Sequence, residues 1–208
     1  MFDFDIARII LGIPAMIIAI VALEYGEARA AVWLGDPTPK AYNRLTLNPL
    51  AHLDPIGAIA LVLAGLGWAK PMPVNVSNFK DPKKDQMLLA FAGPVTCLIV
   101  AFIVFFGLSL ALAMDIPMSK STYTMIYLII AYNIGLAIFN LIPIPPLPGG
   151  RLLTVFLPWE WRMKLENFSW GTFIVLLIVI NTPIFSYIFR PLQMTILKAF
   201  QWVVDAIL

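Results

Sequence analysis

Four long apolar stretches constrain the fold of this sequence more than any other feature. They lie at about 6–34, 87–114, 122–143 and 170–190. Each is long enough to form an α-helix of about 20 residues, the length that crosses a bilayer. Backbone polar groups find no partner in hydrocarbon, so a spanning segment satisfies them within a helix or a closed barrel. The sequence therefore predicts an all-α polytopic membrane protein with about four full transmembrane helices.

The composition agrees with a membrane protein. Hydrophobic residues make up 61% of the 208 residues and charged residues only 12%, whereas a globular domain carries about 25% charged residues. The net charge of +2 is small and the basic residues are scattered, which excludes nucleic acid as an expected partner. We expect one integral-membrane domain over residues 1–208, with a core at about 6–160 and a C-terminal span and interfacial helix at about 170–208.

A shorter apolar run at 56–69 is too short to cross a bilayer unaided. Cytoplasmic loops carry an excess of lysine and arginine, so the distribution of these residues indicates how the run is placed. If it does not cross, nine cations lie on one side and four on the other; if it crosses, the division is eight against five. The first division is the clearer bias. We therefore predict a re-entrant segment at 56–69 and a cytoplasmic 35–86 loop.

Two of the predicted helices have recognisable starts. Asp81-Pro82 is typical of an N-cap followed by proline in the first turn. It predicts the start of a helix in which Gly93-Pro94 produces a kink or a close contact with a neighbouring helix. Beyond Pro191, apolar positions at helical spacing over 192–208 predict a helix in the membrane interface.

The first apolar stretch contains two acids, Glu24 and Glu27, near its C-terminal end. Acids inside a membrane are costly and usually mark functional sites. On a helix, positions 23 and 27 lie on one face and position 24 lies beside them. Histidines at 23 and 27 would complete the zinc-binding H-E-x-x-H arrangement. The sequence keeps the glutamate but has Leu23 and Glu27 in place of both histidines.

Several motifs accompany this segment in order along the chain. They are Gly35-Asp36-Pro37-Thr38-Pro39, Leu45-Thr46-Leu47-Asn48-Pro49, His52-Leu53-Asp54-Pro55, Gly93-Pro94 and Asn140-Leu141-Ile142-Pro143 with Pro148-Gly149-Gly150-Arg151. Together, over about residues 8–160, they resemble the site-2 protease family of intramembrane zinc metalloproteases. The resemblance implies a helical bundle with a short membrane-embedded β-sheet near 40–55 and 72–78.

The resemblance also implies the positions of the metal site. Glu24 matches the general base, and Leu23 and Glu27 match two of the zinc ligands. The third ligand is the aspartate of an Asn-x-x-Pro-x(4)-Asp-Gly motif. That motif matches Asn140, Pro143 and Gly149, with Pro148 at the position of the aspartate. Catalytic zinc needs about three protein ligands and a water, so we expect no metal and no cofactor in this chain.

Other residues of the resemblance have weaker implications. Cys97 lies where many family members have an asparagine associated with holding substrate. Asn140 and Asn133 are seven residues apart on one helix face, and amides in lipid commonly hydrogen-bond across helices. We expect Asn140 to hold the following proline turn against the first helix.

The acids and the histidine leave alternatives open. Glu24 is either a buried acid that is protonated or hydrogen-bonded, or a working base. Glu27 either pairs with Arg29 or with a basic residue of another helix, or it joins Glu24 on a hard cation. His52 either belongs to the loop pattern of the family or acts as a substitute ligand.

The predicted function is that of a proteolytically inactive member. Such a protein would bind transmembrane helices of a client, or act as a subunit of a membrane complex, in the bacterial inner membrane. Its partners are the lipid bilayer and other transmembrane helices. The alternative is an active intramembrane metalloendopeptidase using Glu24, Glu27 and His52 at an atypical zinc site. A small transporter is a third reading, since intramembrane acids also mark ion pathways.

Overall fold

The structure is a computed structural model that describes residues 6–57, 69–145, 147–167, 171, 178 and 182–208. Its helices are α1 (Ile6–Trp33), α2 (Thr38–Ala41), α3 (Pro82–Ala113), α4 (Lys120–Asn140), α5 (Gly150–Thr154), α6 (Trp159–Asn167) and α7 (Pro183–Asp205). Short 3-10 turns lie at Pro49–Ala51 and Val76–Asn78.

Three described helices are long and apolar enough to cross a membrane: Ile10–Trp33 of α1, and all of α3 and α4. They confirm the predicted spans at 6–34, 87–114 and 122–143. The predicted re-entrant segment at 56–69 lies largely outside the described residues. Of the predicted fourth span at 170–190, about half is described, and that part does not form one continuous helix, because Thr182 is the extended N-cap of α7, which starts at Pro183. The chain is therefore a helical membrane protein with at least three candidate spans.

Helices α1, α3 and α4 each pack against the other two. The buried face of α1 is rich in alanine, because small side chains let helix backbones approach closely in a membrane. Its fully buried alanines are Ala15, Ala19, Ala28 and Ala31. On α3, a Cβ added at Gly93 would lie 2.9 Å from the carbonyl oxygen of Leu23. The close helix contact predicted at Gly93-Pro94 is therefore confirmed.

The start of α3 is also as predicted. Asp81 is the N-cap, and its side chain accepts a hydrogen bond of 3.2 Å from the backbone nitrogen of Lys84. The backbone nitrogen of Asp81 in turn donates to Asp85 over 3.1 Å. These reciprocal bonds fix the end of the helix with Pro82 in its first turn.

The C-terminal helix differs from its prediction. Helix α7 starts at Pro183 and continues through Pro191, rather than starting at 192. One of its faces packs on α3 and α4, where Phe102 and Phe200 meet edge to face with centroids 5.1 Å apart. This packing stabilises the helix across the proline, which costs one backbone hydrogen bond. The expected purely interfacial helix is thus a helix docked on the bundle.

The membrane-embedded sheet implied by the resemblance is not confirmed. Among the described residues of this region there is one isolated antiparallel bridge, between Leu53 and Ala69. The backbone nitrogen of Lys70 donates to the carbonyl of His52 over 2.8 Å. Pro71 and Pro73 lack the N–H groups that would extend this pairing.

Candidate functional site

The first acid, Glu24, forms a buried ion pair with Arg44. The distance from Nη2 of Arg44 to Oε2 of Glu24 is 2.8 Å, and both side chains are less than a tenth exposed. Arg44 also donates to the carbonyl oxygens of Lys70 at 2.7 Å and Pro71 at 3.1 Å. One guanidinium therefore joins α1 to the extended segment that follows Ala69.

The second acid, Glu27, pairs with Arg151, which lies 124 residues further along the chain. Nη1 of Arg151 lies 2.5 Å from Oε1 of Glu27, and the arginine side chain is 28% exposed against 4% for the glutamate. Arg151 lies in α5, so the prediction that Glu27 pairs with a basic residue of another helix is confirmed. The two acids of one helical turn are thus held by two separate arginines.

Leu23, at the first position that the resemblance assigns to a zinc ligand, belongs to an apolar cluster. It is buried with Ala22, Cys97 and Ala137, which come from the three packed helices. The thiol of Cys97 donates to the carbonyl of Ala19 over 3.5 Å. This environment offers a metal no donor side chain except a fully buried thiol.

The Asn140 motif folds the chain back after α4. The main-chain oxygen of Asn140 accepts from the nitrogen of Gly149 over 2.7 Å. A Cβ at Gly149 would lie 2.5 Å from the carbonyl oxygen of Ile142, so this close approach requires glycine. The fold-back places Pro148 at the start of the turn that carries Arg151 to Glu27. Pro143 lies exposed within it.

The amides of α4 do not bond as predicted. The side-chain nitrogen of Asn140 donates to the carbonyl of Leu136 at 2.8 Å, and that of Asn133 donates to Ile129 at 2.9 Å. Each bond stays within the helix, one turn back. The side-chain oxygen of Asn133 is buried without a partner. The prediction of amide bonds across helices is wrong for both nitrogens, because each donates to the backbone of its own helix.

His52 is fully buried and takes part in neither of the two ion pairs. Its Nε2 lies 2.7 Å from the carbonyl of Thr46, so this nitrogen carries the proton, and its Nδ1 has no hydrogen-bond partner. Burial lowers the pKa of the imidazole, against the raising effect of the Thr46 bond, and nearby Arg44 lowers it further. The ring is therefore neutral, and its hydrogen bond to the carbonyl of Thr46 stabilises the loop.

A polar cluster that the sequence did not predict fixes the end of α1. Asp36 accepts hydrogen bonds from the nitrogen and hydroxyl of Thr38, from the nitrogen of Asn75 and from the side chain of Asn78. Burial opposes the charge, but these bonds outweigh it and hold the pKa of Asp36 below its ordinary value. The cluster ties α1 to the turn that precedes α3.

The described residues do not fit the zinc ion that the resemblance implies. Leu23 and Pro148 have no donor atoms, and the carboxylates of Glu24 and Glu27 are each bound by a guanidinium. Across the described part of the chain, no group of three or more His, Cys, Asp or Glu residues is arranged to hold a metal. Two nearby guanidinium cations would also repel a divalent ion.

Sequence reasoning identified both acids but not Arg44 and Arg151 as their partners. One signal for them was available. Buried charges require partners, so two acids in an apolar helix predict two cations close by in space. The spacing along the chain does not say which cations these are.

Comparisons with known proteins agree with the motifs. The family model described as Peptidase family M50 matches residues 108–180. The chain is 39% identical over 201 residues to the Bacillus subtilis (strain 168) protein named "Putative zinc metalloprotease YwhC", covering 93% of this chain and 92% of the relative. It is 26% identical over 187 residues to "Putative zinc metalloprotease Rip2" of Mycolicibacterium smegmatis, covering 87% of this chain and 71% of the relative. No solved structure matches the chain. The motifs and the full-length match show that the chain belongs to peptidase family M50, the site-2 proteases.

Proposed function

We propose that this chain is a zinc-free and proteolytically inactive member of family M50 that binds transmembrane helices. Those helices belong to a client or to other subunits of a membrane complex. The observation that carries the proposal is the pairing of both site carboxylates with arginines. A metallopeptidase base accepts a proton from metal-bound water. The Glu24 carboxylate instead accepts a hydrogen bond from Arg44.

The ion pairs also explain how the elements around the site stay together without a metal ion. Arg44 and Arg151 bring a loop and the segment after α4 onto the same turn of α1. A shared metal would join these elements in a similar way. An architecture held together without metal ligands favours a role for the shape of the bundle, and binding another helix is such a role.

Site-specific photocrosslinking in native membranes tests helix binding. A photoreactive residue is placed at exposed apolar positions, Ile18 on α1 and Ile99 and Ile103 on α3. Lys83, exposed at the start of α3, provides a control outside the apolar region. We expect a discrete protein adduct from at least one apolar position and none from Lys83. Lipid adducts alone at every position, with no chain co-purifying after gentle extraction, would contradict the proposal.

An active metalloendopeptidase with an atypical site is the second candidate, because both relatives carry the name zinc metalloprotease. It requires metal on Glu24 and Glu27, with His52 as a further ligand. This candidate predicts cleavage of a transmembrane substrate that is lost in Glu24→Gln. Our proposal predicts equal, background cleavage for the parent chain and for Glu24→Gln in the same membranes.

A further inference from the structure

Helix α7 packs along α4 in the antiparallel direction. A Cβ added at Gly135 of α4 would lie 3.6 Å from the ring of Phe189. Four residues further along α7, the side-chain nitrogen of Gln193 donates to the carbonyl of Ala131 over 3.5 Å. The contact on α4 therefore moves back toward the start of α4 as α7 advances.

The same packing continues to the end of α7. Phe200 meets Phe102 of α3 edge to face, and Val204 is 2% exposed. From Phe189 to Val204 the helix rises about 22 Å at 1.5 Å per residue. The whole helix has 23 residues, so it is about 34 Å long and exceeds the hydrocarbon thickness of about 30 Å. Helix α7 thus lies beside two candidate spans at their own depth.

This packing brings two cations to membrane depth. Arg190 follows the residue that contacts Gly135, and it therefore lies about 8 Å inside the Asn140 end of α4. By the same rise per residue, Lys198 lies about 9 Å inside the other end of α4. Both side chains are exposed. Because eight residues separate them, they lie on one face of α7, and that face points away from α3 and α4.

The outward face of α7 leaves these charges without a partner in the described part of the chain. The hydroxyl of Thr195 donates to the carbonyl of Pro191 over 2.9 Å, whereas neither Arg190 nor Lys198 forms an ion pair with a described residue. Charged side chains in transmembrane segments almost always face protein or a water-filled cavity, and they commonly pair with an opposite charge. The two cations therefore indicate an anionic partner on this face.

A second copy of the chain does not offer the required anion. The acids within the three candidate spans are Glu24, Glu27 and Asp85, and all are buried. Glu24 and Glu27 are also already paired with arginines. Lipid headgroups lie beyond the ends of the spans, about 8–9 Å or more along the axis from either cation. The matching partner is an acidic side chain on a helix of another protein.

We propose that α7 crosses the membrane and that its outward face binds a transmembrane helix of another protein, one that carries an acidic residue level with Arg190. The ion pair between this acid and Arg190 selects the partner, and the exposed Met194 beside it supplies apolar contact. The inference rests on the proposed function, because it specifies the chemistry of the helix that is bound.

Thiol labelling tests whether α7 crosses. Leu208→Cys and Lys83→Cys are treated separately with a membrane-impermeant maleimide in membrane vesicles of one orientation. Both positions are exposed, and the parent chain is the blank because its Cys97 is fully buried. Lys83 lies at the start of α3, at the end of the bundle where α1 ends, whereas α7 ends near the start of α4. We expect labelling from opposite faces of the membrane. Labelling of both from one face would overturn the proposal.

Energy transfer in liposomes tests the recognition of an acid. The donor is placed on Leu208→Cys, and the acceptor on a synthetic leucine–alanine transmembrane peptide with one glutamate about 8 Å inside its apolar stretch. The control peptide has glutamine at that position. We expect the parent to bind the glutamate peptide several-fold more tightly than the glutamine peptide. Arg190→Leu should abolish this preference and Arg190→Lys should keep it. Lys120→Leu, which removes an exposed cation at the end of α4, is the matched control and should keep it too.

Equal binding of the two peptides by the parent would overturn the proposal, since the cations would then be satisfied by lipid or water. A preference that survives in Arg190→Leu would place the acid elsewhere on the bundle and would overturn it as well. Unfolding in micelles shows whether each variant is folded. If the crosslinking positions on α1 or α3 capture a protein but the peptides bind equally, this inference fails while the proposed function stands.

Discussion

Replacing Arg44 with methionine tests how much the buried pairing stabilises the fold. The arginine side chain is 4% exposed and donates to three oxygens, on Glu24, Lys70 and Pro71. Methionine keeps the apolar stem and makes none of these bonds. Removing one partner of a buried pair costs about 3–5 kcal/mol. Hydrogen bonds within membranes average only about 0.6 kcal/mol, so the two stranded carbonyls add less. We expect Arg44→Met to lower the free energy of unfolding by about 3 kcal/mol or more.

Glu24→Gln is the matched comparison. In Glu24→Gln the charge of Arg44 loses its counter-ion but none of its hydrogen bonds, because the amide oxygen of glutamine still accepts from Arg44 and both carbonyl acceptors remain. The expected loss is therefore smaller than for Arg44→Met, about 1–3 kcal/mol. The double variant Arg44→Met/Glu24→Leu removes the stranded carboxylate and should regain about 1–3 kcal/mol relative to Arg44→Met. Equilibrium unfolding in mixed micelles of mild detergent and dodecyl sulfate, followed by tryptophan fluorescence, measures all three. The reasoning is refuted if Arg44→Met and Glu24→Gln cost the same and the double variant recovers nothing.

Three further predictions concern packing, pH and the former ligands. Gly26→Ala should lower the free energy of unfolding by about 1–3 kcal/mol, because its Cβ would lie 2.6 Å from Cβ of Thr96. Gly107→Ala is the control: it has open space around it and should leave the free energy of unfolding unchanged or raise it by up to about 1 kcal/mol. Equal effects of the two variants on unfolding in micelles would contradict this packing argument. Because the pKa of Asp36 is lower in the folded state than its ordinary value of 3.8, its ionised carboxylate stabilises the fold at pH values above 3.8. This stabilisation is lost as the pH falls through the lower pKa of the folded state. The stability difference between the parent and Asp36→Asn should therefore shrink between pH 5 and 3, and a difference independent of pH would exclude this role. The triple variant Leu23→His, Glu27→His, Pro148→Asp should take up zinc that the parent does not, measured as metal per chain; uptake by neither would show that these three positions do not converge on one site.

Much of the fold was predictable because its signals are local. The apolar stretches predicted three described spans, and Asp81-Pro82 predicted the start of α3 from the chemistry of one turn. Gly93 was identified because only a residue without a side chain allows α1 and α3 to approach so closely. The start of α7 was missed, because its packing on α3 and α4 outweighs the local signal of Pro191.

The site was only partly predictable. Leu23, Glu24 and Glu27 stand out because they lie on one turn of a helical motif that Glu24 keeps and that Leu23 and Glu27 interrupt. The partners of these acids come from 20 and 124 residues away, and no periodicity links such positions. The Asp36 cluster likewise joins residues about 40 positions apart. Such pairings follow from how the loops fold back, which local patterns do not determine.

The most direct measurement is the metal content of the parent chain after gentle extraction from membranes of zinc-supplied cells. Elemental mass spectrometry gives zinc per chain, with Glu27→Gln as the matched variant and the zinc-restored triple variant as a positive control. Our account predicts background zinc in the parent, unchanged in Glu27→Gln. Near-stoichiometric zinc in the parent that is lost in Glu27→Gln would contradict it.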